Sequence, residues 1–204
     1  MLFDDSYNIP ANASQGIYKA KGSKFVAYAF PVFSEDEIKK QLEKVRKKEY
    51  AARHYCYAYT LHPDKSLWRA NDDGEPTNTA GKPILGQIQS KDLTNILIVV
   101  VRYFGGVKLG VGGLITAYKT AAGEALTNMT IEKRFVKEVY EVSFRYAQMN
   151  EVMRIIKEKA LEVINQDFQI ECKLVFAIRK SKAKIVMDSF SKKHELKIVY
   201  QKTI

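Results

Sequence analysis

The stretch that decides the fold spans residues 95–113 and reads NILIVVVRYFGGVKLGVGG. Residues 96–101 are apolar without alternation and mostly β-branched, which predicts a central strand that is covered on both faces. Arg102 closes this strand, and a loop with five glycines follows: Gly105, Gly106, Gly110, Gly112 and Gly113. From Leu114 onward small and apolar residues recur at spacings of three and four, so a helix is expected directly after the loop.

This glycine-rich loop is a candidate site for an anion. A loop between a strand and a helix N-terminus leaves backbone N–H groups unpaired near the positive end of the helix dipole, and Lys108 lies inside it. The loop fits neither named phosphate pattern, because Val111 follows Gly110 where the Walker pattern has Lys, and Ile115 replaces the third glycine of G-x-G-x-x-G. Two interpretations stay open: phosphate or RNA binds to the five glycines with Arg102 and Lys108, or the glycines only make a tight turn beside a closely packed helix.

Composition predicts a soluble globular protein. The chain has 204 residues, 46% of them hydrophobic and 27% charged, and its longest apolar run is far shorter than the ~20 residues that a membrane-spanning helix needs. It begins with the acidic segment MLFDD, which differs from the basic start of a secretory signal, so a cytoplasmic location without a membrane partner is expected. Cys56 and Cys172 lie far apart and outside any C-x-x-C motif, which favours reduced thiols, and neither a metal site nor a cofactor is expected.

The charge balance favours a polyanionic partner. The chain carries 33 Lys and Arg against 23 Asp and Glu, a formal net charge of +10, and the excess is spread over both halves. Such a basic surface is typical of proteins that bind RNA or the ribosome, and it is also found on proteins whose charges are merely solvated. Charge alone leaves both interpretations open.

Further elements of the first domain are predicted from periodicity and capping. Strands are expected over residues 15–20 and 24–32, and a helix follows in which Ser34 and the glutamate three positions later form a capping box. The aromatic residues of 54–61 predict another strand. Pro83 fits the first turn of the next helix, because a proline there lacks only an N–H that the helix does not use.

The strand at 54–61 carries two residues of chemical interest. Period two places His54 and Cys56 on the same face, so a cysteine nucleophile with a histidine base is one interpretation, and a metal site that includes His62 is another. Neighbours two apart on a strand stand side by side, and these three residues do not have a recognised metal-ligand spacing. The favoured interpretation is therefore a buried thiol beside a hydrogen-bonded histidine.

An acidic loop precedes the central strand. Residues 71–83 read NDDGEPTNTAGKP and concentrate Asp72, Asp73 and Glu75 among turn-forming residues. These carboxylates suit a hard cation such as Mg²⁺ or, alternatively, a buried arginine, and the second interpretation is favoured. Arg102 ends a strand that is buried on both sides and needs a partner, so at least one of the three acids is predicted to pair with it.

The last third of the chain restarts the alternation of strand and helix. Strands are expected over 138–146, 164–170, 172–178 and 196–200, and helices over 149–160 and 183–190. This order, β-α-β-β-α-β, is the split βαβ arrangement of ferredoxin-like domains. The polar residues between 130 and 137 form the natural boundary, so the predicted domains are 1–130 and 137–204, both of the α+β class.

Five segments of the first domain resemble the IMPACT and YigZ family. They read VVVRYFGGVKLG (99–110), DDGEP (72–76), AGKPIL (80–85), KGSKF (21–25) and ARHYC (52–56). The resemblance implies a first domain with the fold shared by domain 2 of a small-subunit ribosomal protein, and a ferredoxin-like second domain similar to the last domain of elongation factor G. The family-motif residues of functional interest are His54, Cys56, Asp72, Asp73, Glu75, Thr79 and Lys82.

The expected function is that of an RNA- or ribosome-associated regulator of translation that catalyses no reaction, because both fold relatives work on RNA. Its protein partner is left open. The alternative is an enzyme that acts on a phosphorylated or otherwise anionic substrate in a cleft between the acidic loop, residues 71–79, and the glycine loop, residues 105–113. In that alternative the three acids bind a cation, and His54 or Cys56 transfers a proton or acts as the nucleophile.

Overall fold

The computed structural model describes residues 5–191, 193 and 195–204. The start of the chain at residues 1–4, part of the segment from which a cytoplasmic location is expected, lies outside them. The described chain is α+β, as predicted, with five α-helices and eleven strands in three sheets. None of the described helices is long and apolar enough to cross a membrane. The chain divides into two compact units, one of residues 7–134 and the other of residues 5–6 with 135–204.

The first unit is built on a five-stranded sheet. Its strands are β2 (Ser14–Ala20), β3 (Ser23–Pro31), β4 (His54–Leu61), β5 (Leu67–Asn71) and β6 (Ile96–Tyr103). They lie in the order β2-β3-β6-β4-β5, and every neighbouring pair is antiparallel. Two short strands, β1 (Ser6–Pro10) and β7 (Ile131–Phe135), pair with each other in a separate sheet.

The central strand β6 is covered on both faces, as its apolar run predicts. One face of β6 packs against α2 (Gly81–Ser90) and α3 (Gly110–Thr127), and the opposite face packs against α1 (Glu35–Lys48). All six residues at 96–101 are fully buried. Burial of each such side chain contributes about 1.5–3 kcal/mol relative to exposure, which makes this strand the centre of the core.

Helix α3 begins at Gly110, before the predicted start at Leu114. Gly112 and Gly113 therefore belong to its first turn, and the predicted glycine loop of residues 105–113 shortens to residues 104–109. Sequence periodicity missed this turn because glycine is a poor helix former, by about 1 kcal/mol per residue relative to alanine. Packing overrides that preference, since the apolar face that continues from Leu114 is buried against the sheet.

The helix starts that the capping signals predict are confirmed. Ser34 caps α1, where its Oγ accepts a hydrogen bond from the N–H of Glu37 at 3.3 Å. The return bond differs by one residue from the capping-box pattern, because Glu37 Oε2 accepts from the N–H of Phe33 at 2.8 Å. Pro83 is the third residue of α2, so its missing N–H removes no hydrogen bond from the helix.

The second unit has the predicted order of elements, β-α-β-β-α-β. These are β8 (Lys137–Arg145), α4 (Met149–Glu158), β9 (Glu162–Phe168), β10 (Glu171–Arg179), α5 (Ala183–Ser191) and β11 (Lys197–Thr203), with short 3₁₀ turns at Tyr146–Gln148 and Lys180–Lys182. The sheet order is β11-β8-β10-β9. Strand β9 begins and ends two residues before its predicted limits, 164–170. The pairing of β9 with β10 shifts register between Val175 and Phe176, where Ile164 of β9 is left unpaired, and period-two patterning does not reveal such an irregularity.

Asp5 is bound within the second unit although it lies near the start of the chain. Its carboxylate accepts hydrogen bonds from Arg179 Nε at 2.6 Å and from the N–H of Ser181 at 2.7 Å. Burial by itself would raise the pKa of Asp5, but these hydrogen bonds and the positive charge of Arg179 outweigh it and lower the pKa to about 2. A residue from the start of the chain therefore stabilises the unit that its end forms.

Candidate functional site

The candidate site is organised around Arg102, near the carboxyl end of β6. Arg102 lies opposite Phe25 of β3 and opposite His54 of β4 in the sheet register. Residues directly opposite each other on antiparallel strands point to the same face. These three side chains therefore form one row, on the face of the sheet that α2 and α3 cover.

The predicted pairing of Arg102 with an acid of the preceding loop is confirmed. Arg102 Nη1 donates to Glu75 Oε1 at 2.7 Å, and the two side chains are only 9% and 4% exposed. The guanidinium also lies 5.6 Å from the ring centroid of Phe25 and 5.5 Å from that of Phe104, within the range of cation–π contacts. Its Nε is buried and has no hydrogen-bond partner among the described residues. Arg102 therefore has donor capacity that these contacts leave unused.

Glu75 belongs to a buried network that also includes Cys56. The hydroxyl of Tyr118 donates to Glu75 Oε1 at 2.9 Å, and Cys56 Sγ lies 3.3 Å from that hydroxyl. Cys56 also donates to the carbonyl oxygen of Asp72 at 2.9 Å. Burial raises the pKa of the Cys56 thiol and of the Tyr118 hydroxyl well above their usual ranges, so both groups stay neutral near pH 7. The interpretation of Cys56 as a buried thiol is confirmed, and a neutral thiol is a poor nucleophile.

The other two acids of the loop, Asp72 and Asp73, bind backbone groups. Asp72 Oδ1 accepts from two N–H groups at the start of α2, at 2.9 and 2.8 Å, and so caps that helix. Asp73 accepts from the N–H of Tyr55 at 2.7 Å. The expectation that the loop supplies partners to a buried arginine therefore holds for Glu75 alone. Among the described residues no cluster of three or more His, Cys, Asp or Glu side chains is placed to bind a metal ion.

The remaining family-motif residues differ in exposure. His54 Nδ1 lies 2.9 Å from the carbonyl oxygen of Asp73; because a carbonyl only accepts, Nδ1 donates and Nε2 is the ring nitrogen available to a ligand. The predicted hydrogen-bonded histidine is thus confirmed. Thr79 is buried, and its hydroxyl donates to the carbonyl oxygen of Pro76 at 2.7 Å, which stabilises the loop. Lys82 is exposed in the first turn of α2.

Two open pockets adjoin Arg102. The first, which we call the Arg53 pocket, has a volume of about 410 Å³ and is lined by Ala51, Arg53, His54, Arg102, Tyr103 and Phe104. The second, the Lys108 pocket, has a volume of about 430 Å³ and is lined by Glu75, Pro76, Arg102, Phe104, Lys108, Leu109, Gly110, Val111 and Leu114. Arg102 and Phe104 line both pockets. Each volume lies in the range of about 300–1,000 Å³ that sites for small ligands have.

The glycines contribute less to these pockets than the sequence predicts. Of the seven residues predicted to bind an anion or RNA, Arg102, Lys108 and Gly110 line the Lys108 pocket. Gly105 is committed to packing, because a Cβ there would lie 2.2 Å from the backbone nitrogen of Ser23, and its own N–H donates to Ser23 Oγ at 3.1 Å. Gly106, Gly112 and Gly113 line neither pocket. The packing interpretation therefore applies to Gly105, and the anion interpretation stays open for Gly110.

Besides Ala51, sequence reasoning missed three residues that line the Arg53 pocket, namely Arg53, Tyr103 and Phe104. All three lie inside the segments that resemble the family, directly beside His54 or directly after Arg102. The sequence feature that could have revealed this pocket is Phe104, an aromatic residue between the buried strand and a glycine pair. Phe104 is 61% exposed, so its side chain can be reached from solvent.

Taken together, the fold and the site define a two-unit α+β protein whose first unit carries a buried arginine lining two open pockets. Residues 21–126, just over half of the chain, match the Impact N-terminal domain. An IMPACT family member from Haemophilus influenzae is 30% identical over 197 residues, which cover 96% of each of the two chains. The chain belongs to the IMPACT family.

Two further comparisons agree with this assignment. The IMPACT family member YigZ of Escherichia coli is 34% identical over 167 residues, which cover 81% of this chain and 82% of YigZ. A crystal structure described as that of a hypothetical protein superposes with a TM-score of 0.70 at 30% identity, and the match covers 98% of this chain and 99% of that one. The similarity therefore includes residues of both units.

Proposed function

We propose that this protein is a non-catalytic regulator of translation that associates with RNA or the ribosome in the cytoplasm, and that the Arg53 and Lys108 pockets contact the RNA. The observation that carries the proposal is the set of contacts of Arg102. Arg102 is buried, pairs with one carboxylate through Nη1, has further guanidinium N–H groups outside this pair, and lines both pockets. A cation with unused donors beside open space suits an anionic ligand such as phosphate.

Positive charge around the pockets supports this proposal. Arg53 lines one pocket and Lys108 lines the other, so each pocket has a second cation besides Arg102. Glu75 is the acid that lines the Lys108 pocket, and its carboxylate already accepts hydrogen bonds from Arg102 and Tyr118. The formal net charge of +10 adds a long-range attraction for a polyanion.

Translation enters the proposal through the family resemblance. The resemblance implies a first domain, residues 1–130, related to a ribosomal protein domain, and a ferredoxin-like second domain, residues 137–204, related to the last domain of elongation factor G. Kinship of fold is weak support for function by itself. The kinship of fold selects RNA among the possible anionic ligands, and the contacts of Arg102 give the physical reason why an anion would bind.

Charge reversal at the two pockets tests the proposal. Binding of RNA and co-sedimentation with ribosomes are measured for the wild type, for an Arg53→Glu/Lys108→Glu double variant and for Lys40→Glu, which reverses an exposed charge on α1. The wild-type affinity should fall linearly with salt on a log–log plot, and the double variant should bind more weakly and lower the slope by about 2, since two phosphate contacts are lost. Lys40→Glu should behave as the wild type does.

Two results contradict the proposal. If the wild type binds neither RNA nor ribosomes at about 50 mM salt, where phosphate contacts are strongest, the function is wrong. If the double variant binds as tightly as Lys40→Glu, the pockets are not the contact surface.

The enzyme alternative retains one supporting observation. The Lys108 pocket is lined by residues of both the acidic loop and the glycine loop, so the cleft that this alternative requires is present. Two of the groups assigned to its chemistry are engaged elsewhere, because Asp72 caps α2 and Cys56 is a buried thiol, whereas Nε2 of His54 stays available. Turnover of a phosphorylated substrate that is abolished by Lys108→Ala would favour the enzyme.

A further inference from the structure

We infer that the two pockets together take one unpaired nucleotide of a single-stranded RNA, with its phosphate in the Arg53 pocket and its base in the Lys108 pocket against Phe104. The inference rests on the proposed function and specifies which form of RNA the site accepts. Its basis is the different chemistry of two pockets that share Arg102 and Phe104.

The Arg53 pocket suits a phosphate group. Two of its lining residues are arginines, Arg53 and Arg102, whose forked donors match phosphate oxygens. His54 adds a third polar group, because its Nδ1 is used by the carbonyl of Asp73 and its Nε2 is left for a ligand. Arg102 is committed to Glu75 through Nη1 and its Nε is buried, so its remaining guanidinium N–H groups are the ones that would meet the phosphate.

The Lys108 pocket suits a base. Besides Phe104, four of its lining residues are apolar: Pro76, Leu109, Val111 and Leu114. Phe104 forms part of the same wall with 61% of its surface exposed, so the ring is accessible for stacking. The guanidinium of Arg102 lies 5.5 Å from the centre of this ring, which places the phosphate-binding donors next to the stacking surface.

A ligand that places its phosphate in one pocket and its base in the other must be an RNA strand that is not base-paired. In an RNA duplex the bases are stacked and paired, so no base face is free to enter an apolar pocket. In a single strand a base turns outward and stacks on an aromatic side chain. We therefore expect the protein to prefer single-stranded RNA to a duplex of the same length.

The test compares a labelled oligouridylate with an RNA duplex of the same length, at one salt concentration, with the full chain. Phe104→Ala should weaken binding of the single strand by about tenfold or more, the usual effect of losing one stacked base, and should leave the duplex unaffected. Phe104→Trp keeps a stacking ring and should retain the preference, whereas Phe104→Leu should lose it. Phe33→Ala is the matched control, because Phe33 is 53% exposed and lines neither pocket.

The outcomes separate this inference from the proposed function. No binding of either RNA by the wild type overturns both. Binding of single strand and duplex with equal affinity, or a Phe104→Ala variant that keeps the single-strand preference as Phe33→Ala does, overturns the inference and leaves RNA binding in place. Loss of the preference in both Phe104→Ala and Phe104→Leu, together with its retention in Phe104→Trp, supports the inference.

Discussion

Replacing Arg102 with alanine tests whether the buried ion pair stabilises the first unit. The variant leaves the Glu75 carboxylate, which is 4% exposed, with the hydroxyl of Tyr118 as a donor at 2.9 Å and without a counter-ion. Removing one partner of a buried pair costs about 3–5 kcal/mol, because the remaining charge is buried without compensation. Loss of the guanidinium beside the rings of Phe25 and Phe104 adds a smaller packing cost. We expect the free energy of unfolding to fall by about 3–5 kcal/mol.

Urea unfolding followed by tryptophan fluorescence measures this loss. The chain contains one tryptophan, Trp68 of β5, so the signal reports on the first unit. The pair of Arg134 and Glu132 supplies the control, with a distance of 3.0 Å and about half of each side chain exposed. Arg134→Ala should cost less than about 1 kcal/mol, because solvent screens an exposed pair.

A second substitution isolates the pair from any other role of Arg102. Adding Glu75→Gln to Arg102→Ala removes the uncompensated charge, so the double variant should be more stable than Arg102→Ala alone. The reasoning is refuted if Arg102→Ala costs less than about 1 kcal/mol, or if the two substitutions are additive. In that case the role of Arg102 would be to bind the ligand. Arg102→Ala would then melt at the wild-type temperature without ligand, but added phosphate or RNA would no longer stabilise it.

Three further predictions concern other parts of the chain. Because the folded state lowers the pKa of Asp5 to about 2, the contribution of Asp5 to the stability of the second unit is complete above the unfolded pKa of about 3.9 and is lost as the pH falls toward 2. Acid unfolding, monitored by amide signals of that unit, should lose this pH dependence in Asp5→Asn. An Asp5→Asn profile that matches the wild type would contradict this prediction. Gly105→Ala should lower the free energy of unfolding by about 1–3 kcal/mol in urea titrations, since its Cβ would lie 2.2 Å from a backbone nitrogen. Gly112→Ala has nothing within 4 Å of its Cβ and should stabilise α3 by about 0.5–1 kcal/mol. Equal effects of the two substitutions would refute the packing argument. Residues 137–204 expressed alone should melt cooperatively with dispersed amide shifts, because a complete apolar core lies within them, and random-coil shifts would argue against the division of the chain.

The core elements of both units were predictable because burial imposes a period on the sequence. The apolar run at 96–101 leaves few alternatives to a strand covered on both faces, and that strand is β6. The three strands that escaped prediction, β1, β5 and β7, are five residues long and largely exposed or half-buried. A short strand with few buried side chains carries little periodic signal, so its pairing is decided by partners that the sequence does not reveal.

The candidate site was predictable to the extent that burial demands a partner. An arginine at the end of a buried strand requires a carboxylate, and the acidic loop supplies Glu75. Which of the three acids meets Arg102 depends on the path of the loop, and that path was not readable from composition. The same holds for Arg53 and Phe104, because the register of β4 against β6 and the turn after β6 bring them to one pocket.

Residues that line neither the Arg53 pocket nor the Lys108 pocket hold Arg102 in place through the acidic loop. Asp72 caps α2 with its carboxylate and accepts a hydrogen bond from Cys56 with its carbonyl, which fixes both the side chain and the backbone of the loop. Tyr118 and Arg102 then meet at the same oxygen of Glu75. These contacts commit Nη1 of Arg102 to the protein and leave Nε without a partner among the described residues. If the proposed function holds, Asp72, Cys56 and Tyr118 are positioning residues, and their substitution should weaken RNA binding by reorienting Arg102 rather than by removing a contact with the ligand.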